Sequence, residues 1–166
     1  MDPRVKPEDD KNFCLDDKVK GRHMPHLVIL YTGQLDAEVH MTTLCRQMAD
    51  AMLTVQDEAG KQVFPTGGTR VLAYPAPHYA VADGGAAGQA AGGTGDYAFV
   101  YLNVRMGRGR SEATQQRAGQ TLLEVAKAFF APVMAQRHIG ITLQIDVGPE
   151  VFDAKHSNLH PLFNKA

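Results

Sequence analysis

The first residue in this chain placed to do chemistry is Pro25, which directly follows Met24 and opens the run His26-Leu27-Val28-Ile29-Leu30-Tyr31. A Met-Pro pair at a true chain start is a good substrate for methionine removal, because the second residue is small. What remains is a proline with a free secondary amine, which can take up and release a proton. Peptide attachment removes that basic lone pair by amide resonance. An ordinary α-amino group has a pKa of about 8. Burial and neighbouring guanidinium groups both disfavour the protonated amine and bring it toward neutrality, where a general base works best. A single base-acid of that kind can move a proton from oxygen to carbon in a dienol with no cofactor and no metal. The reading requires Met24, not Met1, to be the initiator. Inside a longer chain Pro25 is only a strand-starting proline, tolerated because it needs no ladder donor there.

The second candidate is Arg110, in the turn Gly107-Arg108-Gly109-Arg110 just before Ser111 and Glu112. Ser111 is a good helix N-cap with an acid in the first turn. An arginine beside the positive end of a helix is electrostatically unfavourable unless an anion joins it. A guanidinium fork binds a carboxylate through two parallel hydrogen bonds and stays charged. Ser111 is accounted for by capping, and no Ser-His-Asp set is visible. Arg105 and Arg108 read as solvated and are not assigned.

Other chemistry-bearing residues read as structural. His26, His40 and His78 are scattered over a strand, a helix and a loop. Asp153, His156 and His160 have metal-like steps, but Asn158 and Pro161 argue against the helix that would align them, so no metal site is assigned. Cys45 lies beside an apolar helix face and reads as a small core residue, and the pair Cys14 and Cys45 has no metal or redox spacing.

The elements that must position these residues are read from periodicity. The Pro25 run is a strand closed by Thr32-Gly33. Leu35, Val39, Leu44, Met48, Met52 and Val55 mark one face of a helix over about Asp36 to Gln56, with Asp36 as N-cap and Gly60 as its stop. Thr69 to Tyr74 is a second strand, closed by Pro75 and Pro77. The Gly- and Ala-rich stretch 82–95 reads as a flexible loop or hairpin arm; no Gly-Lys-Ser/Thr comes after it, so a phosphate loop is not supported. Asp96 to Met106 alternates, with Tyr97, Phe99, Tyr101 and Asn103 on one face and Ala98, Val100, Leu102 and Val104 on the other. A second helix from Ser111 carries Ala118, Leu122, Val125, Ala126, Phe129 and Val133, with Pro132 limiting its end. Ile139 to Val147 is a fourth strand. The apolar residues Phe152, Leu159, Leu162 and Phe163 of the tail have no period and suit short turns packed on a neighbour.

The order strand, helix, strand, given twice, predicts an α/β fold: tandem βαβ units forming a four-stranded mixed sheet with two helices on one face. The other face is left bare, which predicts an oligomer in which bare faces meet. Residues 24–166 form this domain. Residues 1–23 carry six Lys or Arg against six Asp or Glu and little that can be buried, and read as a disordered extension or a start assigned too early. The opening MDPRVKPEDD resembles the translation of a bacterial intergenic repeat, which favours an early start.

The whole chain has 166 residues, a formal net charge of −1 and a pI of about 6.6. That balance speaks against a nucleic-acid partner. No apolar run is long enough to span a bilayer, and no secretory signal is visible. Reduced thiols and a cytoplasmic location are expected.

Met24-Pro25-His26, the Arg70 strand, Asp96-Tyr97-Ala98-Phe99-Val100, the Gly109-Arg110-Ser111 turn and the Leu162-Phe163 pair together resemble the 5-carboxymethyl-2-hydroxymuconate isomerase family, within the tautomerase superfamily. Met-Pro alone is weak; Met-Pro-His heading a strand, with DYAFV and GRGRS at these distances, is specific. The resemblance spans nearly all of residues 24–166, and departs from the family in residues 1–23 and in the length of loop 84–95. It implies a cofactor-free keto-enol isomerase, with Pro25 as amino-terminal base and acid, and Arg70 and Arg110 on the carboxylates of a dicarboxylate or tricarboxylate dienol. It also implies a homotrimer. A tautomerase for another 2-hydroxydienoate or 2-oxo acid is the nearest alternative. A non-catalytic binding module of the same fold is the alternative if Pro25 is not the terminus.

Overall fold

The computed structural model of the chain describes residues 25–148, together with 154, 156 and 158–163. Its strands are β1 (His26–Thr32), β2 (Arg70–Ala76), β3 (Ala98–Met106) and β4 (Ile139–Val147), and its helices are α1 (Met41–Thr54), the short α2 (Ala86–Ala90) and α3 (Glu112–Met134). The sheet order is β2-β1-β3-β4. β1 runs parallel to β2 and antiparallel to β3, and β3 is parallel to β4. This is the expected mixed sheet of two βαβ units.

Alternation sorts the two sheet faces. Leu27, Ile29 and Tyr31 of β1 and Ala98, Val100, Leu102 and Val104 of β3 are buried, under Leu44, Met48 and Met52 of α1 and Ala118, Leu122, Ala126 and Phe130 of α3. Among the described residues no helix lies over the opposite face. Leu30, Leu72 and Tyr74 stand on it 46%, 47% and 50% exposed. Over the described residues this is the bare face expected from the sequence.

Two boundaries differ from the sequence reading. The helix expected from Asp36 begins instead at Met41, after a separate 3-10 turn over Gly33–Ala37. The five-residue step from Val39 to Leu44 was the sign of this break, because it takes the apolar face out of helical phase. Asp36 does not cap; it accepts the Tyr31 hydroxyl at 2.6 Å. Burial and that carboxylate push the Tyr31 phenol up to about 12. Nor is Gly60 the helix stop. Helix α1 ends at Thr54, and Gly60, with φ of 75°, serves a separate turn in which Asp57 Oδ1 accepts from the amides of Ala59 and Lys61.

The Gly- and Ala-rich stretch is not a bare flexible arm. Asp83 accepts from the amides of Gly85 and Ala87 and so starts α2, and Gly88 N donates to the Tyr97 hydroxyl at 2.8 Å. A Cβ on Gly88 would lie 2.7 Å from Tyr97 Cε1, so glycine is what lets the loop close on that ring. Pro75 is part of β2 rather than its end, which an edge strand allows. Helix α3 matches expectation: Ser111 accepts from Thr114 N at 3.1 Å, and Pro132 lies near the helix end.

Candidate active site

Strand direction brings the sequence-predicted residues to one end of the sheet. Pro25 is buried immediately before β1. Arg70 opens β2, which is parallel to β1, and is paired with His26. Strand β3 is antiparallel to β1, so Met106 and the turn 107–110 also arrive at this end. Pro25 shares parity with Leu27 and lies on the helix side of the sheet; Arg70 shares parity with His26 and lies on the open side. The two residues therefore flank the same edge from opposite faces.

Arg110 is the better-defined cation. Its Nη1 donates to Gly107 O at 3.1 Å and its Nη2 to Val63 O at 3.0 Å. Among the described residues no carboxylate pairs with it. Burial lowers its pKa from the ordinary arginine value, though a guanidinium remains charged near neutrality. Five N–H donors minus the two bonds above leave three donors for a ligand. Arg70 donates Nη1 to Gly68 O at 3.1 Å, within the tight turn Thr66–Gly68 that feeds β2. Both arginines donate to backbone carbonyls, which orient the guanidinium groups.

The turn holding Arg110 has a support that the sequence reading missed. Glu58 accepts from Ser111 Oγ and, at 2.9 Å, from Thr114 Oγ1. Arg117 Nη1 donates to Gln56 O at 2.7 Å. With the Arg110 to Val63 bond, these contacts tie the segment 56–63 to the start of α3. No periodicity or motif announces them, because each joins residues 47 to 61 positions apart.

Other candidates resolve as the residue types indicated. Cys45 packs against the core, and burial raises its thiol pKa, which makes it less reactive. Leu162 and Phe163 are exposed at and beyond a short 3-10 turn, His160–Leu162, that packs on the Thr66–Gly68 turn. Phe152, Asp153 and residues 1–24 lie outside the described residues. A separate cavity of about 360 Å³, lined by Val81, Gly88, Tyr97, His138 and Ile139 among others, opens at the far end of the sheet. Among the described residues no carboxylate or guanidinium lines it, and it is remote from Pro25.

The site is thus one end of a tandem βαβ sheet, headed by a buried proline, with two carbonyl-held arginines at that end. The family model for 5-carboxymethyl-2-hydroxymuconate isomerase matches residues 25–163, and the chain belongs to that family. A crystal structure of a 5-carboxymethyl-2-hydroxymuconate delta-isomerase is 66% identical, with a TM-score of 0.84, over 86% of this chain and 95% of that one. A second, of a 5-carboxymethyl-2-hydroxymuconate isomerase from Deinococcus radiodurans R1, is 31% identical with a TM-score of 0.69, over 86% of this chain and 96% of that one. The 5-carboxymethyl-2-hydroxymuconate Delta-isomerase of Escherichia coli is 26% identical over 140 residues, which is 84% of this chain and 99% of that protein. Among the described residues no helix is long and apolar enough to cross a membrane.

Proposed function

We propose that this protein is a cofactor-independent isomerase that converts 5-carboxymethyl-2-hydroxymuconate to 5-carboxymethyl-2-oxohex-3-ene-1,6-dioate, a step of homoprotocatechuate degradation in the cytoplasm. The free amine of Pro25 takes the proton of the 2-hydroxyl, the dienol electrons shift, and the same group returns a proton at C5. Arg70 and Arg110 hold carboxylates, and the positive charge at the 2-oxo end steadies the oxyanion as it develops. Proton transfer by a positioned group typically contributes about a hundred- to ten-thousand-fold in rate. A homotrimer, formed by covering the bare sheet face, is the proposed assembly.

The observation that carries this reading is the family match, which begins at Pro25. Its test is a pair of proteins, one starting at Pro25 and one at Met1, each with its terminus verified by mass. The form starting at Pro25 is expected to consume the dienol, monitored by loss of its absorbance, and the longer form to be inactive. Equal turnover by both would remove Pro25 from the mechanism. Inactivity of both toward this dienol, with activity of the Pro25 form on another 2-hydroxydienoate, would move the substrate and keep the base.

A further inference from the structure

The last row of the sheet at the Pro25 end carries more charge than the proposed site uses. His26 is paired with Arg70 on one side and with Arg105 on the other, and Arg105 is paired with Asp146. Residues paired across strands share a face, about 4.8 Å apart per strand. The next residues in the same ladders, Leu27, Val71, Val104 and Ile145, pack in or against the core. The charged row therefore lies on the open face. One step inward that face carries Val28, Leu72 and Asn103, and two steps inward Leu30, Tyr74 and Tyr101, so the charge is confined to the rim.

Two guanidinium groups flank one imidazole in this row. Asp146 does not neutralise the neighbouring arginine by contact: its Oδ2 accepts Asn103 Nδ2 at 2.8 Å. Arg105 is exposed, and among the described residues no hydrogen bond or ion pair engages its guanidinium. It points from the same face and the same rim as Arg70.

We propose that Arg105 is a third carboxylate-binding residue, and that it sets the preference for a substrate with three carboxylates over one with two. The inference rests on the substrate reading above. 5-Carboxymethyl-2-hydroxymuconate has the two carboxylates of the muconate chain and one on its carboxymethyl arm. Arg70 and Arg110 account for two of them. Arg105 supplies the third fork, on the same face and rim as Arg70 and across His26 from it, with its donors unspent among the described residues.

The test uses the full protein and two unreactive probes, tricarballylate with three carboxylates and glutarate with two, measured by calorimetry. The native protein is expected to bind tricarballylate more tightly. Arg105→Gln is expected to weaken tricarballylate by about tenfold to a hundredfold, the usual loss for one charge-assisted contact, and to leave glutarate within about threefold. Arg105→Lys should recover part of the loss. Equal weakening of both probes, no weakening of either, or no preference for tricarballylate in the native protein would overturn the proposal. So would dissociation of the assembly by Arg105→Gln with unchanged tricarballylate affinity, which would make Arg105 an interface residue. A parallel assay compares 5-carboxymethyl-2-hydroxymuconate with 2-hydroxymuconate, and the variant is expected to raise KM for the first alone. If the native protein turns over neither dienol, the proposed function fails, while the probe affinities still decide the role of Arg105.

Discussion

Arg110 Nη2 donates to the carbonyl of Val63 at 3.0 Å, and this bond joins the turn before α3 to the segment leading into β2. One residue thereby connects the two βαβ units at the end where Pro25 lies, and it is also the residue proposed to grip a carboxylate. Arg110→Lys separates the two roles. A lysine keeps the charge but has no planar fork to satisfy two carbonyls and a ligand together. The expected result is a rise in KM with a smaller fall in kcat, equivalent to about 1.5 to 3 kcal/mol for a lost charge-assisted bond. A large fall in melting temperature with normal kinetic constants would make Arg110 structural only.

Glu58 gives the same turn a pH dependence. Its bond from Ser111 leads the causes that hold its carboxyl below the ordinary glutamate value of 4.5, with its own backbone bond and Thr114 next in size. A carboxylate with a depressed folded-state pKa adds stability that is present above the unfolded value and lost as pH falls through the folded one. Native protein and Glu58→Gln are therefore expected to differ in melting temperature near neutrality and to converge under acid conditions below that ordinary value. A difference that stays constant through the acid range would show that the carboxylate charge plays no part.

Arg137 anchors the other end of the sheet. It pairs with Glu38 and with Asp96, the latter at 2.8 Å, and its side chain is only 8% exposed. The two acids belong to the segment before α1 and the segment before β3, so the arginine ties those two segments to the connection that follows α3. Its raised pKa lies far above the physiological range, so this contribution is constant through neutral pH. Arg137→Ala strands two partly solvated carboxylates and is expected to cost about 1 to 3 kcal/mol. Activity at the Pro25 end should be retained in the folded fraction. Chemical denaturation read beside specific activity distinguishes this from a role in the site.

The strands and α3 were legible because their burial is periodic: Ala98, Val100, Leu102 and Val104 alternate with Phe99, Tyr101 and Asn103 along β3, and Ser111 caps α3. Less was legible where structure depends on contacts distant in sequence. The early start expected for α1 came from counting Leu35 and Val39 with Leu44, although the 3-10 turn puts them in another frame. Loop 82–95 looked featureless because its order comes from Tyr97 and Asp83 rather than from its own glycines and alanines. Likewise Arg70 is suggested by family resemblance, and Arg110 also by its place before a helix start, while the carbonyls of Gly68, Gly107 and Val63 that hold them emerge only in three dimensions.

The bare face makes the last prediction. Leu30, Leu72 and Tyr74 come from adjacent strands, with Val28 beside them, and together they form an apolar patch on a sheet face that no helix covers among the described residues. A large contiguous patch of this kind marks an interaction surface on a soluble protein. A second copy is the occupant proposed here, since copies meeting by a closed rotation cover the same patch on every subunit. Leu72 is the sharpest probe: it lies on the edge strand, is already 47% exposed, and packs on no helix among the described residues. Leu72→Asp should therefore leave the subunit fold intact, judged by circular dichroism, while placing an unpaired charge inside the interface. Burying such a charge is strongly unfavourable. Light scattering is expected to show the native protein as a closed oligomer, and Leu72→Asp as a monomer at micromolar concentration. A native protein that is monomeric under those conditions would leave the open face without a partner copy, and the proposed trimer would have to be abandoned.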